Sequence, residues 1–257
     1  MKKLITMILA LVCCVNFAQT KPIKIDTLLG SKGIFSKFKP KEISTKQKLF
    51  FNVKLTYTMK DKSGKTIETS TYFNTKHGYF GVLNSKKGSE TFNPNDKNFN
   101  FMVYSHSLKN YIYSTDRKGK KTVMSIPINP KNDFKMDNVT LKKDSNPSKK
   151  FTNQNIVGYP YNNSKTSEKD KVIVYLNDNS ISGKNQFKNQ LSFAGLGFYQ
   201  IDGKTVLSTS IENNGNIITL TKIEGVAINF NASEFKKEEM EGMDQAVEEM
   251  MKNLKKQ

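Results

Sequence analysis

The sequence predicts a mainly β protein: a curved antiparallel sheet or half-barrel, with a short internal helix and a C-terminal amphipathic helix. Three observations carry that prediction. Apolar and polar residues alternate with period two over a long stretch near residue 50. Similar stretches then recur between short Gly-, Asn- and Lys-rich turns. Finally, no alternation of strands with long helical patterns suggests a parallel βαβ sheet.

The clearest element is "LFFNVKLTYTMK". Leu49, Phe51, Val53, Leu55, Tyr57 and Met59 fall on one side, and Asn52, Lys54, Thr56, Thr58 and Lys60 on the other. That spacing predicts a long strand with one buried and one wet face. "DKSGK" turns the chain at Gly64, and "TIETSTYFN" returns as the second arm of a hairpin. "KHGYFGVLN" adds a turn and a third strand. "NFNFMVYS" alternates through Phe99, Phe101 and Val103. "KNYIYSTD" sets Tyr111 and Tyr113 opposite Ile112, and "RKGKKTVMSIPI" makes another turn and strand. Residues 129–150 are polar and broken and read as a long surface connection. Strands resume at "KKFTNQNIVGY", "YNNSKTS" and "KVIVYLND", with a bend expected after Gly158 because Pro160 cannot donate to a β ladder. The spacing of Phe187 and Leu191 predicts a short helix after Gly183. "KTVLSTSIEN", the turn "NNGN", "IITLTKIEG" and "VAINF" complete about nine to twelve strands, a number at which a twisted sheet curls.

The two termini differ from this middle. Lys2 and Lys3 precede an uncharged, largely apolar run from Leu4 to Val15, and Ala18 offers a small residue before Gln19. This is the layout of a secretory signal peptide, too short to span a bilayer. The expected organisation is a signal peptide at 1–18, a flexible N-terminal segment at 19–47, an antiparallel β domain at 48–231 and a C-terminal helix at 232–257. The expected location is periplasmic or extracellular, with no transmembrane segment in the mature chain. At the C-terminus, Met240, Met243, Val247, Met250, Met251 and Leu254 form one helical stripe, and Asn231 with Glu234 is a cap pair.

Composition narrows the chemistry. The only cysteines, Cys13 and Cys14, lie in the leader, so the exported fold has neither disulfides nor thiols. Net charge is +18, yet Arg117 is the only arginine. Lysine is a solvated point charge without the bidentate fork that reads bases and clamps phosphates. Nucleic acid is therefore not an expected partner, whereas an anionic envelope surface is. His77 and His106 stand apart in exposed positions without metal-ligand spacing, so neither metal nor cofactor is expected. No GxSxG elbow or phosphate loop occurs. Glu68, Asp96, Asp116 and Asp178 are scattered among turns with no motif pairing two of them. The expectation is a protein without enzymatic activity.

"NIVGYPY" followed by "KVIVYLND", then "GKTVLSTSIENNGNIITLTKIE", resembles the LolA/LolB lipoprotein-carrier superfamily and its exported GLPGLI-type relatives of the Gram-negative envelope. Gly158, Tyr159, the strand Val172 to Tyr175 and Asp178 carry the likeness, over residues 49–230. Pro160 and Tyr161 stand where many relatives have a cysteine, and Tyr175 where a tryptophan is frequent. The resemblance implies a half-barrel with helices against its concave face and no catalysis. Two readings remain open. In one, a lipid, a lipidated protein or another apolar ligand lies on the concave face, against Phe51, Val53, Leu55, Tyr57, Met59, Phe99, Phe101 and Val103, with Met243 and Met250 as a lid. In the other, the core is solid and the protein is a structural or interaction partner at the envelope.

Overall fold

The computed structural model describes residues 21–22, 43–83, 91–104, 109–127, 141–152, 156–163, 172–181, 198–201 and 204–238. Among these the chain is a single fifteen-stranded sheet. Its strands are β1 (Lys21–Pro22), β2 (Lys48–Lys60), β3 (Thr66–Phe73), β4 (Phe80–Leu83), β5 (Asn100–Tyr104), β6 (Lys109–Thr115) and β7 (Lys121–Pro127). They continue as β8 (Leu141–Lys143), β9 (Lys149–Phe151), β10 (Ile156–Asn163), β11 (Val172–Ile181), β12 (Phe198–Ile201), β13 (Lys204–Asn213), β14 (Asn216–Asn231) and β15 (Lys236–Lys237). The order across the sheet is β15-β7-β6-β5-β4-β3-β2-β14-β13-β11-β10-β8. The expected antiparallel meander therefore runs from β2 to β7, and β14 returns to pair with β2.

Several expectations are corrected. The count exceeds twelve because the sheet recruits very short strands. One of them, β8, lies in the stretch read as a surface connection, where a run of three residues is too short to show a period, and β9 falls at the start of "KKFTNQNIVGY", which forms two strands and not one. At the start of the expected C-terminal helix, Ala232–Glu234 is a single 3-10 turn. Lys236 and Lys237 then pair parallel with Thr122 and Val123 of β7. Asn231 does meet Glu234, through Nδ2 donating to Oε1 at 3.0 Å, but this pair closes the 3-10 turn. Phe235 explains the choice of backbone. It is buried against Tyr113 and Phe230 at ring separations of 5.3 Å each, which anchors the chain on the sheet. The rest of the helix expectation, and the helix expected after Gly183, lie outside the described residues. In the lead-in, Lys21 and Pro22 pair with β14 and Ile43 is buried, so two points of that segment are docked.

The sheet is curved and its hydrogen bonding does not close into a barrel. Cross-strand partners share a face. Leu83, Phe101, Tyr113 and Val123 thus form one row across β4 to β7, and Phe73, Phe80 and Tyr104 a row on the other face. Both rows are buried. On the first face the end of β14 and the start of β2 lie over the row, with Phe230 4.8 Å from Tyr113 and Phe51 5.4 Å from Phe101. On the second face Phe80 stacks between Phe73 at 5.4 Å and Tyr104 at 4.7 Å. Leu207, Leu220, Ile223 and Ile156 from the other half of the sheet join them.

This explains why the wet face expected for β2 is not wet. Thr56 is buried, and Lys54 is mostly covered, 3.8 Å from Glu224 and over the ring of Tyr72. Nor do the odd positions share one environment. Leu49 and Phe51 join the aromatic cluster, whereas Val53, Leu55 and Tyr57 join the second. The β2–β14 pairing has two register shifts, between Leu220 and Lys222 and between Gly225 and Ile228. Such bulges increase the local twist and coil the ribbon from one face to the other.

The Gly158-Tyr159-Pro160-Tyr161 segment is continuous strand and not a bend. The interruption lies in its neighbours. β9 pairs with Ile156 to Gly158 and β8 with Tyr161 to Asn163, leaving Pro160 at the changeover. Its carbonyl accepts the Asp144 N–H at 2.9 Å on that side, so its missing donor falls where neither strand requires one. A Cβ on Gly158 would collide with Thr209 Oγ1 and come within 2.7 Å of Phe151, whose ring sits 5.5 Å from Tyr175. The glycine is there for close packing. Val172, Val174 and Leu176 do share one cluster, as their alternation predicts.

Candidate functional site

Two hairpin tips of the same design stand at one end of the sheet. In "DKSGK" Asp61 Oδ1 accepts the N–H groups of Ser63 and Lys65, both at 2.9 Å, and the Ser63 hydroxyl at 2.6 Å. In "DRKGK" Asp116 Oδ1 accepts the N–H groups of Lys118 at 2.8 Å and Lys120 at 2.9 Å. In both, the glycine N–H donates to the Asp carbonyl at 3.0 Å. Gly64 and Gly119 have φ of 85° and 83°, which a side chain would strain. This is a tight turn followed by a left-handed glycine, a hairpin closure that matches strand twist. The first tip was legible through Gly64. The repetition was missed, although the shared D-x-x-G-K pattern is its signal.

These hydrogen bonds hold both carboxyls below their ordinary value of 3.8. The Ser63 hydroxyl is the leading cause for Asp61, and the Lys120 N–H for Asp116. A depressed pKa contributes stability that is present above the unfolded value and lost as pH falls through the folded one. Both tips should therefore loosen below about pH 4. An NMR titration is expected to place both carboxyls below 3.8, and Asp61→Asn and Asp116→Asn each to remove one acid-sensitive step from the unfolding profile. Ordinary titration of both carboxyls would refute this.

Between the tips lies a cleft of about 600 Å3. Strands β2, β3, β5, β6 and β7 supply its walls, with Ile67 to Thr69 of β3 facing Asn100 of β5 and Ser114 of β6 across it. Met59 and Ile67, directly paired across β2 and β3, give the cleft an apolar side. They are large apolar residues exposed at 38% and 42%. Asn100, Ser114 and Thr122 form a polar row along β5, β6 and β7, and Glu68, Asp116, Lys120 and Glu238 lie at the rim. Lys120 and Glu238 pair at 2.9 Å, and that hydrogen bond is the main reason the Lys120 pKa is raised.

The residues expected to face an apolar ligand divide sharply. Phe51, Val53, Leu55, Tyr57, Phe101 and Val103 are at most 1% exposed and pack on the protein itself. Phe99 is buried with them, yet lines the cleft beside Met59. Met243 and Met250 lie outside the described residues. Ile67 was not among the expected residues. Its place in "TIETSTYF" resembles any strand position, and only the assembled sheet shows that it stays exposed.

Among the described residues no group of three His, Cys, Asp or Glu could hold a metal ion. His77 is half-buried rather than exposed, its ring 6.4 Å from Tyr79 and its N–H donating to Asn74 Oδ1 at 2.6 Å, which makes it part of a turn. His106 lies outside the described residues. Of the scattered carboxylates, Glu68 and Asp116 both line the cleft, while Asp96 accepts from Asn93 in its own turn. No helix among the described residues is long and apolar enough to cross a membrane. No family model matches the chain, and no curated protein matches it in sequence.

Proposed function

We propose that this chain is an exported, non-enzymatic β protein of the cell envelope that works through its surface, with its core filled by its own side chains. One observation carries the reading. A carrier would keep one face of its sheet open for an acyl chain. Here both faces of the first half are covered, and on one of them Phe51, Phe101, Tyr113 and Phe230 are all fully buried and meet ring to ring at 4.8 to 5.6 Å. Aromatic groups at such distances gain from edge-to-face contact as well as from burial. Expelling them to admit a lipid would forfeit both.

A hydrolytic reading has Glu68 and Asp116 lining one cleft, and Asp116 is unsuited to the general-acid role. A general acid needs a carboxyl whose pKa is raised. Asp116 is held in the opposite direction by the backbone of its own turn.

Native mass spectrometry of protein purified from its own envelope tests the proposal. The expected spectrum is the chain cleaved before Gln19 with no retained lipid. A co-purifying lipid displaced by a fluorescent fatty acid would establish a carrier instead.

A further inference from the structure

The geometry points to the hairpin-tip end of the sheet as a docking face for an anionic membrane surface, with Met59 and Ile67 entering the interface between two basic tips. This deepens the proposed function and rests on it, since a protein that works through its surface needs a face to work with.

Charge and apolarity converge at this end alone among the described residues that expose large apolar groups beside a cleft. The first tip exposes Lys60, Lys62 and Lys65 against Asp61, and the second Arg117, Lys118 and Lys120 against Asp116 and Glu238, the latter paired with Lys120 at 2.9 Å. Both aspartates spend an oxygen on backbone N–H groups, so the anion in each tip is already engaged. The only arginine in the chain sits on the second tip. Ile218, Met59 and Ile67 then run as one cross-strand row directly behind these cations.

Met59 and Ile67, exposed behind a basic rim and backed by the half-buried Ile218, form the arrangement that interfacial binding requires. Cations are drawn to anionic headgroups, at roughly fivefold in partitioning per residue near the surface, and the apolar groups enter the boundary layer. A soluble polyanion would use the cations and leave the apolar row in water. Glu68, also at the rim, opposes an anionic surface, so its removal should help.

The chain has no tryptophan, so Ile67→Trp supplies a single reporter. Its emission should shift to the blue with vesicles containing about one-third phosphatidylglycerol, and not with phosphatidylcholine alone. In sedimentation with the same vesicles, Lys62→Glu/Lys65→Glu and Arg117→Glu/Lys118→Glu should each lower partitioning at least tenfold. Ile67→Ser should lower it several-fold at unchanged charge, and Glu68→Gln should raise it. Lys46→Glu/Lys48→Glu, an equal charge change at exposed sites by the opposite end of β2, should have a smaller effect than either tip variant. Equal losses from tip and control variants would overturn the docking face in favour of net charge. Heparin binding as strong as vesicle binding, and insensitive to Ile67→Ser, would overturn the membrane in favour of a soluble polyanion. Absence of vesicle binding by a protein that also retains no lipid would overturn the docking face and leave the solid-core reading standing.

Discussion

Phe230→Ala should destabilise the protein by about 3–5 kcal/mol, the range for emptying a fully buried aromatic site. Phe230 is 0% exposed and lies between 4.8 and 6.2 Å from the rings of Phe92, Phe99, Phe101, Tyr113 and Phe235. No neighbour can collapse into the space without giving up its own contacts. For a chain of this size the loss corresponds to a fall in Tm of about 10 °C. Phe50→Ala, beside it in the β2–β14 pairing but 41% exposed, should change stability by no more than about 0.5 kcal/mol. Thermal and urea unfolding of the two variants provides the comparison. Hydrogen exchange adds a local reading, because Phe230 and Phe235 hold the return of the chain onto β7. The Glu238 N–H, bonded to the Val123 carbonyl at 3.0 Å, should lose protection in Phe230→Ala. Similar effects of the two substitutions would show that this face is not packed as described.

Gly81→Ala should be the next most damaging change, although it adds only a methyl group. A Cβ at Gly81 would fall onto the edge of the Phe101 ring, too close at Cζ, Cε1 and Cε2 alike. In an open site the ring would swing away. Phe101 instead contacts Phe51 at 5.4 Å, Phe92 at 4.9 Å and Phe230 at 5.6 Å, and is fully buried. Overpacking of this kind costs about 1–3 kcal/mol, and more where nothing can yield. A double-mutant cycle isolates the cause. In a Phe101→Leu background the added methyl has more room, so the penalty of Gly81→Ala should shrink by at least about 1 kcal/mol. Additive effects would mean that the strain arises from the backbone and not from the ring.

These two residues also mark the limit of sequence reading. Phe101 was legible as a buried strand position, because period two sorts side chains by face. Nothing in "YFGVLN" tells that Gly81 sits beneath its ring, since that contact depends on the relative position of β4 and β5. The same holds for the candidate site. Gly64 announced its turn, because few residues accept positive φ. The cleft beside it is walled by residues of β2, β3, β5, β6 and β7, and which strands lie side by side is something no local pattern signals. Ile67 looked like any other strand residue for the same reason.

The sequence by itself determined the strands, their antiparallel order from β2 to β7 and the glycine turns between them. Those features follow from side-chain alternation and backbone sterics, which act over a few residues. Tertiary structure alone decided that both faces of the first half would be covered. The bulges in β14 coil the ribbon it forms with β2, and Phe230 is thereby laid across Phe101 and Tyr113. It also decided that Phe235 would draw the chain into a parallel pair on β7. The Gly-Tyr-Pro-Tyr segment stayed straight because β8 and β9 exchange places beside it. Each outcome turns on which distant surface covers a residue, and burial against a distant partner leaves no periodic trace in the chain.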